Sequence, residues 1–103
     1  MLVKVLNAQT LGKVNEIKLD LVTNTNGEYI VGRSLDSSLI LDSCDVSRIH
    51  GKFLLENGNY YYSDIGSING SLVNNKLAEQ NQIYPLKSGD VIRIGEFLLV
   101  MEI

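Results

Sequence analysis

The sequence is short of the residues on which several classes of protein depend. It contains one cysteine, Cys44, one histidine, His50, and one proline, Pro85. A single cysteine cannot form an internal disulfide framework, so we expect a reducing compartment and a cytoplasmic protein. The longest apolar run has five residues, 97–101, whereas a transmembrane helix needs about 18. Residues 1–7 also lack the apolar stretch of a secretory signal, and we expect no insertion into a membrane.

Positive charge is also scarce in this chain. Nine lysines and arginines against twelve acidic residues give a net charge of −3 and a pI of about 5.0. This balance disfavours bulk attraction to nucleic acid, so any bound anion must be held by a local cluster of donors. The length of 103 residues, without a linker, a repeat or a shift in composition, predicts one domain over 1–103 with a core of its own.

Hydrophobic residues repeat with a period of two, which is typical of β-strands. Ile17, Leu19 and Leu21 alternate with polar residues, and Asn26-Gly27 and Asn57-Gly58 are signals for hairpin turns. The pattern predicts about eleven short strands, at 2–6, 16–22, 28–33, 39–41, 49–56, 60–64, 72–74, 76–78, 82–84, 91–94 and 97–102. So many strands need two sheets to cover their apolar faces, so we expect an all-β, antiparallel β-sandwich.

The side chains needed for catalysis are too few or are not placed by any pattern. A zinc site needs three or four histidine or cysteine ligands, and the chain has one of each. Ser47 and His50 are three residues apart, as a nucleophile and its base could be, but nothing places the orienting carboxylate of a triad. No glycine-rich nucleotide loop opens a helix. We therefore predict no enzyme, no catalytic residue, no metal and no cofactor.

Two arginines stand beside predicted loops and suggest a different chemistry. The planar guanidinium groups of Arg33 and Arg48 suit a phosphate dianion, and the hydroxyl of Ser47 adds a short donor. Taken singly, each residue has a plainer explanation. The arginines can be solvated surface charges, Ser47 can cap a loop, and His50 can be a hydrogen-bonded core residue. Their order along the chain favours an anion site.

Five segments in a fixed order cover most of the chain. They are YIVGRS at 29–34, LILD at 39–42, VSRIHG at 46–51, DIGSINGSLVN at 64–74 and LKSGDVIRIG at 86–95. Each segment alone is a weak signal, but together they resemble the forkhead-associated (FHA) domain, a module that reads phosphothreonine. The resemblance implies a β-sandwich of eleven strands.

The resemblance also implies which residues contact the ligand. Arg33 and Ser47 match the family's phosphate-binding positions, and Arg48 is well suited to assist them. Asn69 matches the asparagine that holds the peptide backbone beside the phosphothreonine. Ile68 stands where the family commonly has threonine or another polar residue, so its backbone amide is the group left to contact the peptide.

Three further residues are implied to support the site. Gly32 would permit a close approach of the backbone, and His50 would be a hydrogen-bonded brace for the loop that carries Ser47. Gly70 would support the turn that follows Asn69. The resemblance thus implies a non-catalytic module that binds phosphothreonine-containing proteins or peptides downstream of a Ser/Thr kinase.

A second hypothesis belongs to a different class of function. Phosphate-independent assembly, including self-association of the chain, is suggested by Ile68 and by the run of Tyr60, Tyr61 and Tyr62. The plainer explanation for the tyrosines is an ordinary strand in which alternate rings are buried.

Overall fold

The computed structural model describes residues 1–19 and 28–103, and it confirms an all-β fold of eleven strands. The strands are β1 (Leu2–Asn7), β2 (Lys13–Lys18), β3 (Glu28–Gly32), β4 (Leu39–Ile40), β5 (Gly51–Glu56), β6 (Asn59–Asp64), β7 (Leu72–Val73), β8 (Lys76–Leu77), β9 (Ile83–Pro85), β10 (Val91–Ile94) and β11 (Phe97–Glu102). Within the described residues there is no helix long and apolar enough to cross a membrane. The turn predicted at Asn26-Gly27 lies outside the described residues.

The strands form the two sheets of the predicted sandwich. The six-stranded sheet has the order β2-β1-β11-β10-β7-β8, and the five-stranded sheet has the order β4-β3-β5-β6-β9. Neighbouring strands are antiparallel except for β3 and β4, which run parallel with Val31 opposite Leu39. The pair is parallel because residues 33–38 carry the chain back along β3, where the Ser38 N–H donates to the Ile30 carbonyl (2.8 Å).

Alternate residues of both sheets point into one hydrophobic core. Val3 and Leu99 of the six-stranded sheet pack in the same core as Phe53 and Tyr62 of the five-stranded sheet, and all four are fully buried. The rings of Phe53 and Tyr62 are 5.4 Å apart. Tyr60 and Tyr61, which precede Tyr62, are half-buried. The three tyrosines therefore do not form an exposed patch.

Four strands begin at residues other than those predicted, β6 and β9 by one residue and β2 and β5 by more. β2 was expected at 16–22, but it spans Lys13–Lys18, and every residue in it except Ile17 is exposed. It forms the edge of its sheet, so its strand conformation comes from pairing with β1 and leaves no alternation in the sequence. β5 was expected from residue 49 but begins at Gly51, and the side chain of Ile49 is exposed.

The pairing of β1 with β11 defines the two ends of the sandwich. Leu2 lies opposite Glu102, so the first and last residues of the chain are side by side. Asn7 lies opposite Phe97 at the other end, next to the β10–β11 turn. A Cβ built on Gly95 in that turn would lie 3.2 Å from the side chain of Val46. The loop that contains Val46 is therefore at the end away from the termini.

Candidate functional site

Three loops meet at the end of the sandwich that is remote from the termini. They are residues 33–38 after β3, 41–50 after β4 and 65–71 after β6. A pocket of about 480 Å³ opens between them. Its lining residues are Arg33, Cys44, Val46, Ser47, Arg48, Ile49, Gly66, Ile68 and Asn69. The structure thus brings together all five residues that the sequence assigned to ligand contact.

The first two loops lie unusually close to each other at Gly32. A Cβ built on Gly32 would lie 2.8 Å from the carbonyl carbon of Arg48 and would clash with its oxygen. The N–H groups of Arg33 and Ser34 donate to the carbonyls of Ser47 (3.0 Å) and Arg48 (3.1 Å). Glycine is therefore required at position 32 for the loops to meet, and their meeting positions Arg33 at the pocket.

One edge of the Arg33 guanidinium group is fixed by the protein. Its Nε donates to the Val46 carbonyl at 3.1 Å, while the residue as a whole is exposed. Among the described residues, no acceptor is bonded to the two terminal nitrogens, and no carboxylate forms an ion pair with Arg33. The anchored group therefore presents its remaining N–H donors to the pocket, in the planar arrangement that suits a phosphate.

Arg48 supplies a second cation to the same pocket. Its side chain is exposed, and in the described part of the chain it forms no ion pair with a carboxylate. Two unneutralised guanidinium groups thus border one cavity of a chain whose net charge is −3. Such a local concentration of positive charge attracts an anion in spite of the overall sign.

Ser47 is held by hydrogen bonds on both its backbone and its side chain. Its N–H donates to His50 Nδ1 at 3.1 Å, and its Oγ accepts from the N–H of Ile68 at 3.0 Å. Because the oxygen already accepts, the hydroxyl hydrogen is the part of Ser47 left to donate to an anion. The same contact occupies the Ile68 amide that the sequence assigned to the peptide.

His50 connects two of the loops from a fully buried position. Its Nδ1 accepts from the Ser47 N–H, so the proton is on Nε2, which donates to the Gly70 carbonyl at 2.9 Å. This neutral imidazole satisfies one backbone group in each loop. It bonds the backbone of Ser47 and not its hydroxyl, so the pair lacks the contact that a nucleophile and its general base require.

A buried carboxylate organises the third loop. Asp64 Oδ1 accepts from the N–H groups of Gly66 (3.0 Å) and Ser67 (2.9 Å), and Oδ2 accepts from the hydroxyls of Ser67 (2.5 Å) and Ser71 (2.7 Å). Burial raises the pKa of Asp64, but these hydrogen bonds outweigh it and hold the pKa below the ordinary value of 3.8. Sequence reasoning gave Asp64 no role, although the Asp-x-x-Ser spacing is typical of a side chain that caps its own turn.

Asn69 and Ile68 form the rim of the pocket on the third loop. The Asn69 side-chain amide donates to the Asp45 carbonyl at 3.0 Å, which ties the third loop to the second. Gly70 follows with a φ of +82°, in the left-handed region that favours glycine. The Ile68 side chain is 90% exposed. Asn69, an exposed residue, and the Ile68 side chain therefore both border the mouth of the pocket.

Comparison with a family model finds one matching family. The FHA domain model matches residues 29–95, which is more than half of the chain. Glycogen accumulation regulator GarA of Mycolicibacterium smegmatis is 42% identical over 69 residues, which are 67% of this chain and 42% of that protein. The chain therefore spans less than half the length of this curated relative.

Solved structures with the same fold include FHA domains from bacteria and yeast. The FHA domain of CT664 protein from Chlamydia trachomatis has a TM-score of 0.78 at 29% identity, covering 96% of this chain and 92% of that one. The N-terminal FHA domain of Saccharomyces cerevisiae Rad53p, solved in complex with a phosphothreonine peptide, has a TM-score of 0.77 at 26% identity, covering 97% and 91%. These likenesses extend beyond residues 29–95 to nearly the whole chain.

Proposed function

Because the chain belongs to the FHA domain family, we propose that it is a non-catalytic module that binds phosphothreonine-containing peptides of partner proteins in Ser/Thr kinase signalling. One observation carries the proposal: Arg33 and Arg48, free of ion pairs with the described carboxylates, border the same pocket as the Ser47 hydroxyl. A phosphorylated threonine carries about −1.5 to −2 charges near neutral pH and three acceptor oxygens. The related Rad53p domain, solved with a phosphothreonine peptide, supports this ligand class.

Each side chain of the pocket has a role that follows from its contacts. Arg33 donates to the phosphate from a guanidinium group already held by Val46, so little side-chain freedom is lost on binding. Ser47 donates its hydroxyl hydrogen, and Arg48 adds the second positive charge. Asn69 contacts the peptide backbone next to the phosphothreonine. Gly32, His50 and Gly70 hold these groups in place without touching the ligand.

The proposal covers residues 1–103 as one FHA domain of a regulatory protein in the cytoplasm. Residues on both sides of the matched segment, such as Val3 and Leu99, share the core with Phe53, which supports a single folding unit. The relative GarA is a glycogen accumulation regulator, which supports a regulatory role over a catalytic one. The exposed free thiol of Cys44 and the dependence on a kinase favour the cytoplasm.

Isothermal titration calorimetry with a phosphothreonine peptide library tests the proposal. We expect the wild-type chain to bind selected phosphopeptides about a thousandfold more tightly than the bare peptides, since hydrogen bonds to charged groups contribute about 1.5–3 kcal/mol each and are not fully additive. Arg33→Ala should reduce the affinity by about tenfold to a hundredfold.

Arg93→Ala is a matched control for that variant. Arg93 is also exposed and also donates from Nε to a backbone carbonyl, that of Gly95 (3.2 Å), but it does not line the pocket. Its loss should leave the affinity unchanged. If no phosphopeptide binds better than its bare form, the proposal is wrong. A tight dimer in sedimentation that persists in Arg33→Ala would then favour the assembly hypothesis.

A further inference from the structure

The outer face of the six-stranded sheet carries a patch of aliphatic side chains. Side chains alternate between the two faces of a strand, and Val3, Ile92 and Leu99 take inner positions, in the core. Outer positions of β1, β7, β10 and β11 hold five half-buried aliphatic residues that lie outside the core of the described residues, and we call them the outer patch: Leu6, Leu72, Val91, Leu98 and Val100. Where an antiparallel sheet faces water, polar residues usually take these positions. The outer patch is therefore suited to contact with another protein surface.

The strand register makes the outer patch continuous. Leu6 lies opposite Leu98, and Val100 lies opposite Val91. Opposite side chains in an antiparallel pair are about 4.5–5.5 Å apart, so these four residues are neighbours on the surface. Leu72 continues the patch beyond β10. The patch thus crosses four adjacent strands of the sheet.

The charges on this face are either paired or placed at its margin. Lys4 and Glu102 form an ion pair at 2.8 Å. The Nε of Arg93 donates to the Gly95 carbonyl at 3.2 Å, which holds the guanidinium group at the β10–β11 turn. In the described part of the chain, neither Arg93 nor Glu96 of that turn forms an ion pair. A second copy of the same turn would therefore offer each of these two charges a partner of opposite sign.

The size of the face fits a weak dimer. The sheet has six strands, and its longest strands have six residues. With about 4.8 Å between strands and about 3.4 Å per residue, the face measures roughly 24 Å by 20 Å. A pair of such faces buries up to about 1,000 Å², which is the lower limit for a specific interface. Association should therefore be reversible, with a dissociation constant that is about micromolar or weaker.

We propose that the outer patch is the interface of a symmetric homodimer. A twofold axis that runs parallel to the strands, between β10 and β11, places Val100 of one copy against Val91 of the second copy, and Leu6 against Leu72. The same axis brings the two β10–β11 turns together, with their complementary charges. The contact uses no phosphate and does not depend on the proposed function.

This symmetry places the two loop ends of the dimer on the same side, because the axis is parallel to the strands. Both pockets that contain Arg33 and Arg48 then open in one direction. Two phosphothreonine residues of one partner can be held at once, and binding of the second becomes intramolecular. The apparent affinity for a doubly phosphorylated partner should rise accordingly.

Sedimentation equilibrium of the unphosphorylated chain tests the dimer at concentrations of about 10 μM to 1 mM, which cover a weak interface. The mass of the wild-type chain should increase reversibly from monomer to dimer. Val100→Lys and Val91→Glu should each weaken association at least about tenfold, because each places an unpaired charge in the interface. An equimolar mixture of the two variants should recover association, because the introduced charges are opposite in sign and face each other.

Val14→Lys is the matched control. Val14 is 56% exposed on β2 of the same sheet, but it borders a cleft with Val5 and Phe97, which belong to the core. This variant and Arg33→Ala should leave the dimer unchanged, and circular dichroism should show all variants folded. A wild-type chain that stays monomeric overturns the inference and leaves a different protein as the occupant of the face. It is also overturned if Val14→Lys weakens the dimer as much as Val100→Lys, or if the mixture does not associate.

Discussion

His50→Phe tests whether the buried imidazole holds two loops together. Phenylalanine has a ring of similar size but cannot hydrogen-bond, so the core remains filled while two bonds are lost. The Ser47 N–H and the Gly70 carbonyl would lose their partner at a site where His50 is 0% exposed. Each orphaned group costs about 1–3 kcal/mol, so the free energy of unfolding should fall by about 2–6 kcal/mol.

Urea unfolding followed by circular dichroism measures this loss. A domain has about 5–15 kcal/mol of stability in total, so the variant should be strongly destabilised and is best compared at low temperature. His50→Gln is a useful comparison, because its amide can accept and donate and should recover part of the stability. The phosphopeptide affinity of His50→Phe should fall as well, since Ser47 loses the bond that positions its backbone. A loss of less than about 1 kcal/mol would refute the reasoning.

Two further predictions concern the scaffold of the site. Gly32→Ala should lower the free energy of unfolding by about 1–3 kcal/mol, because its Cβ would meet the Arg48 carbonyl. Gly12→Ala is the control and should be nearly neutral, because the nearest atom to its Cβ belongs to the flexible side chain of Thr10, at 3.2 Å. Equal melting temperatures for Gly32→Ala and Gly12→Ala would contradict this prediction. Since hydrogen bonds hold the pKa of Asp64 below 3.8, its charged form stabilises the fold above about pH 4, and that stability is lost as the pH falls through the lower folded value. Asp64→Asn should therefore be less stable at neutral pH and should lose less stability on acidification, so urea unfolding with equal acid dependence in both proteins would count against this role.

The sequence predicts the strands well where burial alternates. β11 has the same bounds in the structure as in the prediction, because its residues alternate between the core and the outer face. The Asn57-Gly58 turn is also local, and both residues have positive φ, 52° and 79°. β2 begins earlier than predicted because an exposed edge strand carries no alternation. The parallel pairing of β3 with β4 depends on the path of residues 33–38, which no local pattern specifies.

For the candidate site as well, the sequence predicts what local motifs specify and does not predict contacts that form only on folding. The order of the motifs predicts that Arg33, Ser47 and Asn69 act together, and the structure places them around one pocket. The sequence did not reveal the role of Asp64, because its contact with the Ser71 hydroxyl joins residues seven positions apart and forms only when the chain folds.

The antiparallel pairing of β1 with β11 has a practical consequence for protein engineering. Since Leu2 and Glu102 are opposite each other at the end of the sandwich away from the three loops, a fluorophore, an affinity tag or a surface attachment at either terminus leaves the pocket open. The same proximity allows a short peptide to join the ends covalently, so that circular permutants can be opened in a surface turn. A sensor made in this way would carry its reporter beside the new ends and keep its recognition loops unchanged.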